Sequence, residues 1–100
     1  MKKMMLTAMI AALAGTPALA SQELAQKKNC MVCHAIDKKV VGPAYRDVAK
    51  KYTGQDVTAK LTIKVRQGGS GVWGAVPMPA NMQVTDAEAK QLVTWVLSIK

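Results

Sequence analysis

The sequence predicts an all-α fold in one small domain. Three observations predict it. Apolar residues recur at helical spacing, most clearly Leu92, Val93, Val96, Leu97 and Ile99 near the C-terminus, and that period gives a helix one broad apolar face. Helix starts and stops are marked by Ser21, Gly42-Pro43, Asp56, Gly68-Gly69 and Thr85. No run alternates apolar and polar residues as a half-buried strand does. Internal repeats and low-complexity stretches are absent from the sequence.

Each element has a local reason. Ser21 can cap a first helix running from Gln22 to about Asn29, with Leu24 and Ala25 as its core contacts. Gly42 is a stop. Pro43 suits the first turn of a second helix that Ala44 to Tyr52 continues. Gly54 punctuates. Asp56 can cap a third helix, Val57 to Gln67, in which Leu61 and Val65 share a face at i, i+4. Gly68-Gly69 ends it. Thr85 and Glu88 are spaced as a capping box for a last helix from Asp86 to about Ile99. Trp95 on that helix reads as packing.

Met1 to Ala20 does not read as part of the fold. Lys2 and Lys3 make a positive start, Leu6 to Leu13 is apolar but for Thr7, and Ala18-Leu19-Ala20 offers small residues at the cleavage positions. This is the pattern of a secretory signal peptide. The apolar run is too short for a membrane span of roughly 20 residues, so an uncleaved anchor is the poorer reading. Two domains of the precursor follow: residues 1–20 as leader and 21–100 as the mature protein, placed in the periplasm.

Every cysteine and the single histidine of the chain lie in Cys30-Met31-Val32-Cys33-His34. Cys-x-x-Cys-His reads as covalent attachment of c-type haem. Thiols three residues apart lie on one side of a helical turn and can add to two haem vinyl groups. His34 follows immediately, and neutral imidazole is a good iron ligand. Other uses of the pair fit less well. A thioredoxin-like redox pair needs a βαβ context that is missing here. Structural zinc needs four ligands, and a Cys30–Cys33 disulfide would staple nothing. A buried haem also explains the size. About 80 residues without phenylalanine make a marginal core, which the cofactor completes.

Gly68 to Asn81 reads as a loop. Gly68, Gly69, Gly71, Gly74, Pro77 and Pro79 make regular helix or strand improbable there. Met78, stiffened by a proline on each side, is the candidate second axial ligand. Its soft sulfur favours ferrous iron and raises the reduction potential. Met82 is the competitor, and Met31 sits inside the attachment motif, badly placed for the opposite face.

These markers together resemble the small bacterial class I cytochromes c, the cytochrome c-551 and c-552 group. The resemblance runs over essentially all of Ser21 to Lys100. It is carried by Cys30 to His34, Val41 to Ala49, Gly71 to Gly74, Pro77-Met78-Pro79 and Trp95 to Ile99. It implies about four helices wrapped around one covalently bound haem c per chain, with His34 and Met78 as iron ligands. It further implies that the Pro43 carbonyl accepts the other ring N–H of His34. Trp73 is implied to donate to a haem propionate, and Asn81 to contact the Met78 sulfur. Asn29 stands where glycine often precedes the first cysteine, although asparagine tolerates a left-handed backbone. Lys64 replaces an arginine that meets a propionate in some members. Whether Tyr45, Tyr52, Lys64 or Arg66 takes that contact is open at this level.

The whole chain carries a formal charge of +8, which falls to +6 without Lys2 and Lys3. Two propionates would leave about +4. Lys27-Lys28, Lys38-Lys39 and Lys50-Lys51 are a soluble surface first, and a basic rim that steers acidic partners second. Nucleic acid is a poor partner, because aromatic and basic residues do not interleave. The reading is a monomeric single-electron carrier rather than an enzyme. Its expected donor is a membrane quinol-oxidising cytochrome complex. Its expected acceptor is a terminal oxidase or reductase, nitrite reductase among the candidates. An enzyme or gas-binding haem protein would need an open sixth site, which Met78 closes, and a distal base, which no second histidine supplies.

Overall fold

The computed structural model describes residues 16–100. The expected leader therefore lies outside the described residues except for Thr16 to Ala20. Helix α1 spans Pro17–Lys27 and is followed by a single 3-10 turn at Cys30–Val32. Helices α2 (Tyr45–Lys51) and α3 (Thr58–Gln67) come next. Strands β1 (Gly69–Gly71) and β2 (Gly74–Met78) precede the last helix, α4 (Asp86–Ser98). Four helices dominate, as expected, with one small sheet added.

Helix α4 is the spine against which α1, α2 and α3 all pack. Its start is the predicted capping box. The Glu88 N–H donates to Thr85 Oγ1 at 3.1 Å, and the Thr85 N–H donates to Glu88 Oε1 at 3.0 Å. Ala89, Leu92, Trp95 and Val96 of α4 form the core with Ala25 of α1, Tyr45 of α2 and Val84. The apolar stripe read from the sequence is thus the buried one. Leu97 and Ile99 lie at its half-buried margin.

Three helix starts differ from expectation. Ser21 does not cap α1; it is buried within it and accepts a hydrogen bond from Gln91 Nε2 at 3.4 Å. In the uncleaved chain Thr16, within the expected leader, caps instead, accepting from the Leu19 N–H, because Thr16-Pro17 pairs a cap residue with a proline suited to the first turn. Pro43 stays outside α2. Its carbonyl faces His34, and the first helical acceptor is Ala44, which takes the Val48 N–H at 3.1 Å. Helix α3 starts after Val57 rather than Asp56, with no side-chain cap.

The larger correction is the sheet. The segment expected to be an irregular loop folds as an antiparallel hairpin, Gly69 opposite Met78 and Gly71 opposite Gly74, with a bulge between. Its residues from Gly69 to Pro77 line the cavity rather than a side-chain core, so no packing against protein imposes an alternating pattern. Backbone pairing through glycine conformations builds it instead. Gly68 is one position where glycine is required. It has φ +75°, and a Cβ there would run into the Met78 carbonyl.

Candidate haem site

The attachment motif is built locally. Asn29 adopts a left-handed conformation at φ 66° and turns the chain out of α1. The 3-10 turn then brings Cys30 and Cys33 to one side, since i and i+3 nearly eclipse in that geometry. The Cys33 and His34 N–H groups both donate to the Cys30 carbonyl, at 3.2 and 3.0 Å. The Cys33 carbonyl accepts from Val41 and Gly42 at 3.1 and 2.7 Å, which folds the following segment back over the motif. The two thiols are not joined to each other. Burial and nearness to Tyr45 place the Cys30 thiol in a dry environment, and burial pushes both it and the Tyr45 phenol above their ordinary pKa values.

His34 is fixed from several sides. Its Nδ1 lies 2.8 Å from the Pro43 carbonyl oxygen. An acceptor there requires the proton on Nδ1, which leaves Nε2 with its lone pair available to a metal. The ring stacks on Tyr45 at 4.8 Å between centroids and 20° between planes. Tyr45 meets the Trp95 edge at 5.5 Å, which connects the imidazole to the core of α4. Gly42 lies directly against the ring, and a Cβ there would be 2.5 Å from Cε1.

Cys30, Cys33 and His34 open onto a mostly apolar cavity of about 510 Å³, within the range of small-molecule and cofactor sites. Leu61 and Val65 of α3 and Leu92, Val93 and Val96 of α4 form its floor and walls. Met78 and Trp73 of the hairpin also line it. The methionine choice is therefore a matter of position. Met78 lines the cavity, Met82 is 75% exposed and does not, and Met31 packs against the core. Among the described residues no His, Cys, Asp and Glu side chains gather as a set of three or more that could hold a metal ion by themselves.

The expected residues are not all brought together. Pro43 and Trp73 are at the cavity, with Trp73 at the hairpin turn and 43% exposed. Lys51 Nζ sits 5.7 Å from its ring centre and 5.8 Å from that of Tyr52, a cation–π arrangement. Asn81 is not on the cavity wall. Its side-chain nitrogen donates to the Val65 carbonyl at 3.0 Å and the Pro79 carbonyl at 3.4 Å. Gly42 was legible only as a helix stop and Tyr45 only as a core edge. Their contacts with the His34 ring come from the chain folding back, which no local spacing reveals. Tyr52 and Lys64 also line the cavity, whereas Arg66 turns away and donates to the Val84 carbonyl at 3.1 Å.

Comparison with known proteins agrees with this geometry. The family model described as Cytochrome c matches residues 18–100. The chain is 56% identical to "Cytochrome c-552" of Hydrogenobacter thermophilus over 101 aligned positions, covering all of both chains. It is 50% identical to "Cytochrome c-552" of Nitrosomonas europaea, over 83% of this chain and 82% of that protein. The crystal structure of wild-type Nitrosomonas europaea cytochrome c552 superposes with a TM-score of 0.77 at 49% identity, over 79% of this chain and 99% of that one.

Proposed function

The chain belongs to the cytochrome c family, and from that premise we propose that it is an exported monohaem electron carrier with iron held between His34 and Met78. Family membership brings covalently bound haem c, with Cys30 and Cys33 spaced as the attachment motif requires. One observation carries the finer reading: a single cavity gathers Cys30, Cys33, His34 and Met78.

When bound, haem c supplies a one-electron iron couple. The chain's own residues do the rest. Cys30 and Cys33 anchor, and the Pro43 carbonyl keeps the His34 proton on Nδ1. The stack on Tyr45 and the wall of Gly42 hold the imidazole in one orientation. Leu61, Val65, Leu92, Val93 and Val96 exclude water, and a dry site favours the less charged ferrous state. Met78 lines the same cavity and would hold the remaining position of the iron, which supports electron transfer rather than substrate binding.

The leader pattern supports a periplasmic location. The excess of lysine supports steering toward acidic redox partners. A membrane quinol-oxidising complex as donor and a terminal oxidase or reductase as acceptor fit such a location. The test is purification from a host that matures c-type cytochromes. Haem that stays attached after denaturation, with a low-spin spectrum in the native protein, is expected. Rapid carbon monoxide binding by the reduced native protein would overturn the carrier reading in favour of an open-site haem protein.

A further inference from the structure

We propose that Gln83 is a positioning residue of the loop that presents Met78, and that it acts through Asn81. The inference rests on the assignment of Met78 as an iron ligand. Asn81 lies three residues beyond Met78 and fastens that stretch to α3 twice. Its backbone N–H and its side-chain amide both donate to the Val65 carbonyl, at 3.3 and 3.0 Å. The amide also reaches the Pro79 carbonyl at 3.4 Å. This works in only one amide orientation. With nitrogen and oxygen exchanged, two carbonyl oxygens would face each other.

Gln83 selects the working orientation. Its Nε2 donates to Asn81 Oδ1 at 3.3 Å, and a donor at that place requires an oxygen opposite it. The same nitrogen lies 3.5 Å from the Lys28 carbonyl. Lys28 returns the contact: its Nζ donates to the Gln83 carbonyl at 3.2 Å and pairs with Glu88 at 3.5 Å. Lys28 stands just before Asn29 and Cys30. The clamp therefore ties the segment bearing Met78 to the segment bearing His34. Without the Gln83 donor, only the Val65 and Pro79 carbonyls hold the Asn81 amide, the Val65 bond loosens, and Met78 leaves its place more readily.

The experiment measures how fast cyanide replaces the methionine ligand in the oxidised, haem-loaded protein. Gln83→Met keeps the length and removes the donor. It is expected to speed replacement about fivefold, as the loss of one ordinary hydrogen bond allows. Asn81→Ala should also speed it, and the double variant should be no faster than Asn81→Ala alone, because the two residues act in series. An unchanged rate in Gln83→Met, or effects that multiply in the double variant, would overturn the proposal while leaving the Met78 assignment intact. A Met78→Ala protein that binds cyanide at the native rate would instead remove the assignment, and the proposal with it.

Discussion

The two walls of the haem cavity are built differently. The His34 wall is short in sequence and cross-tied. Backbone bonds close the motif on itself, the Pro43 carbonyl holds the ring, and Tyr45 and Trp95 connect it to the core. The Met78 wall is a glycine-rich hairpin that lines the cavity, fastened mainly at its base by Gly68, Val65 and Asn81. Packing over-determines one proposed ligand, while a few hydrogen bonds determine the other. Stability should therefore respond most to changes at the His34 wall, and ligand exchange most to changes at the Met78 wall.

The largest expected effect removes what both walls share. Cys30→Ala/Cys33→Ala, lacking haem, should be largely unfolded, because the cavity would leave the apolar walls from α3 and α4 facing water. A well-dispersed NMR spectrum of that protein would show that the walls stand without the cofactor. Next comes Gly42→Ala. Its Cβ has no room beside the His34 ring, and overpacking of this kind costs about 1–3 kcal/mol. Urea unfolding of the haem-loaded protein checks it; an unchanged midpoint would mean that the His34 wall yields easily.

Smaller effects belong to the start of α4, which supports both walls. Thr85→Ala removes the cap and should cost about 1 kcal/mol in the same unfolding measurement. The Thr85 N–H, aided by Lys28, holds the Glu88 carboxyl below its ordinary pKa. A lowered folded value means stability that is present above the ordinary glutamate range and fades as pH falls through the folded value. Melting temperature followed against pH should show a slightly steeper acid loss in the native protein than in Glu88→Gln. Equal slopes would mean that Glu88 contributes nothing by its charge.

The same contrast explains what was legible in the sequence. The attachment motif, the Thr85–Glu88 box and the α4 stripe are local patterns, and local sterics and hydrogen bonds settle them. Met78 was legible because its prolines advertise a stiff segment. The hairpin around it was not, because Gly69 to Pro77 lines the cofactor cavity and so carries no alternating signal of packing on a side-chain core. Gly42 and Tyr45 were visible as residues but not as supports of His34, since that role arises from contact after the chain turns back. Asn81 was legible as a residue near the Met78 segment but not as its fastening to the Val65 carbonyl, which comes from α3 packing alongside it.

His34 and Met78 line one cavity, and the proposed function makes both of them iron ligands. The most direct test compares Met78→Ala with Met82→Ala in the haem-loaded protein by optical spectroscopy and redox titration. Met78→Ala is expected to abolish the methionine-to-iron charge-transfer band and to lower the reduction potential substantially, while Met82→Ala keeps the band. Loss of the band in Met82→Ala with its retention in Met78→Ala would contradict the assignment of Met78.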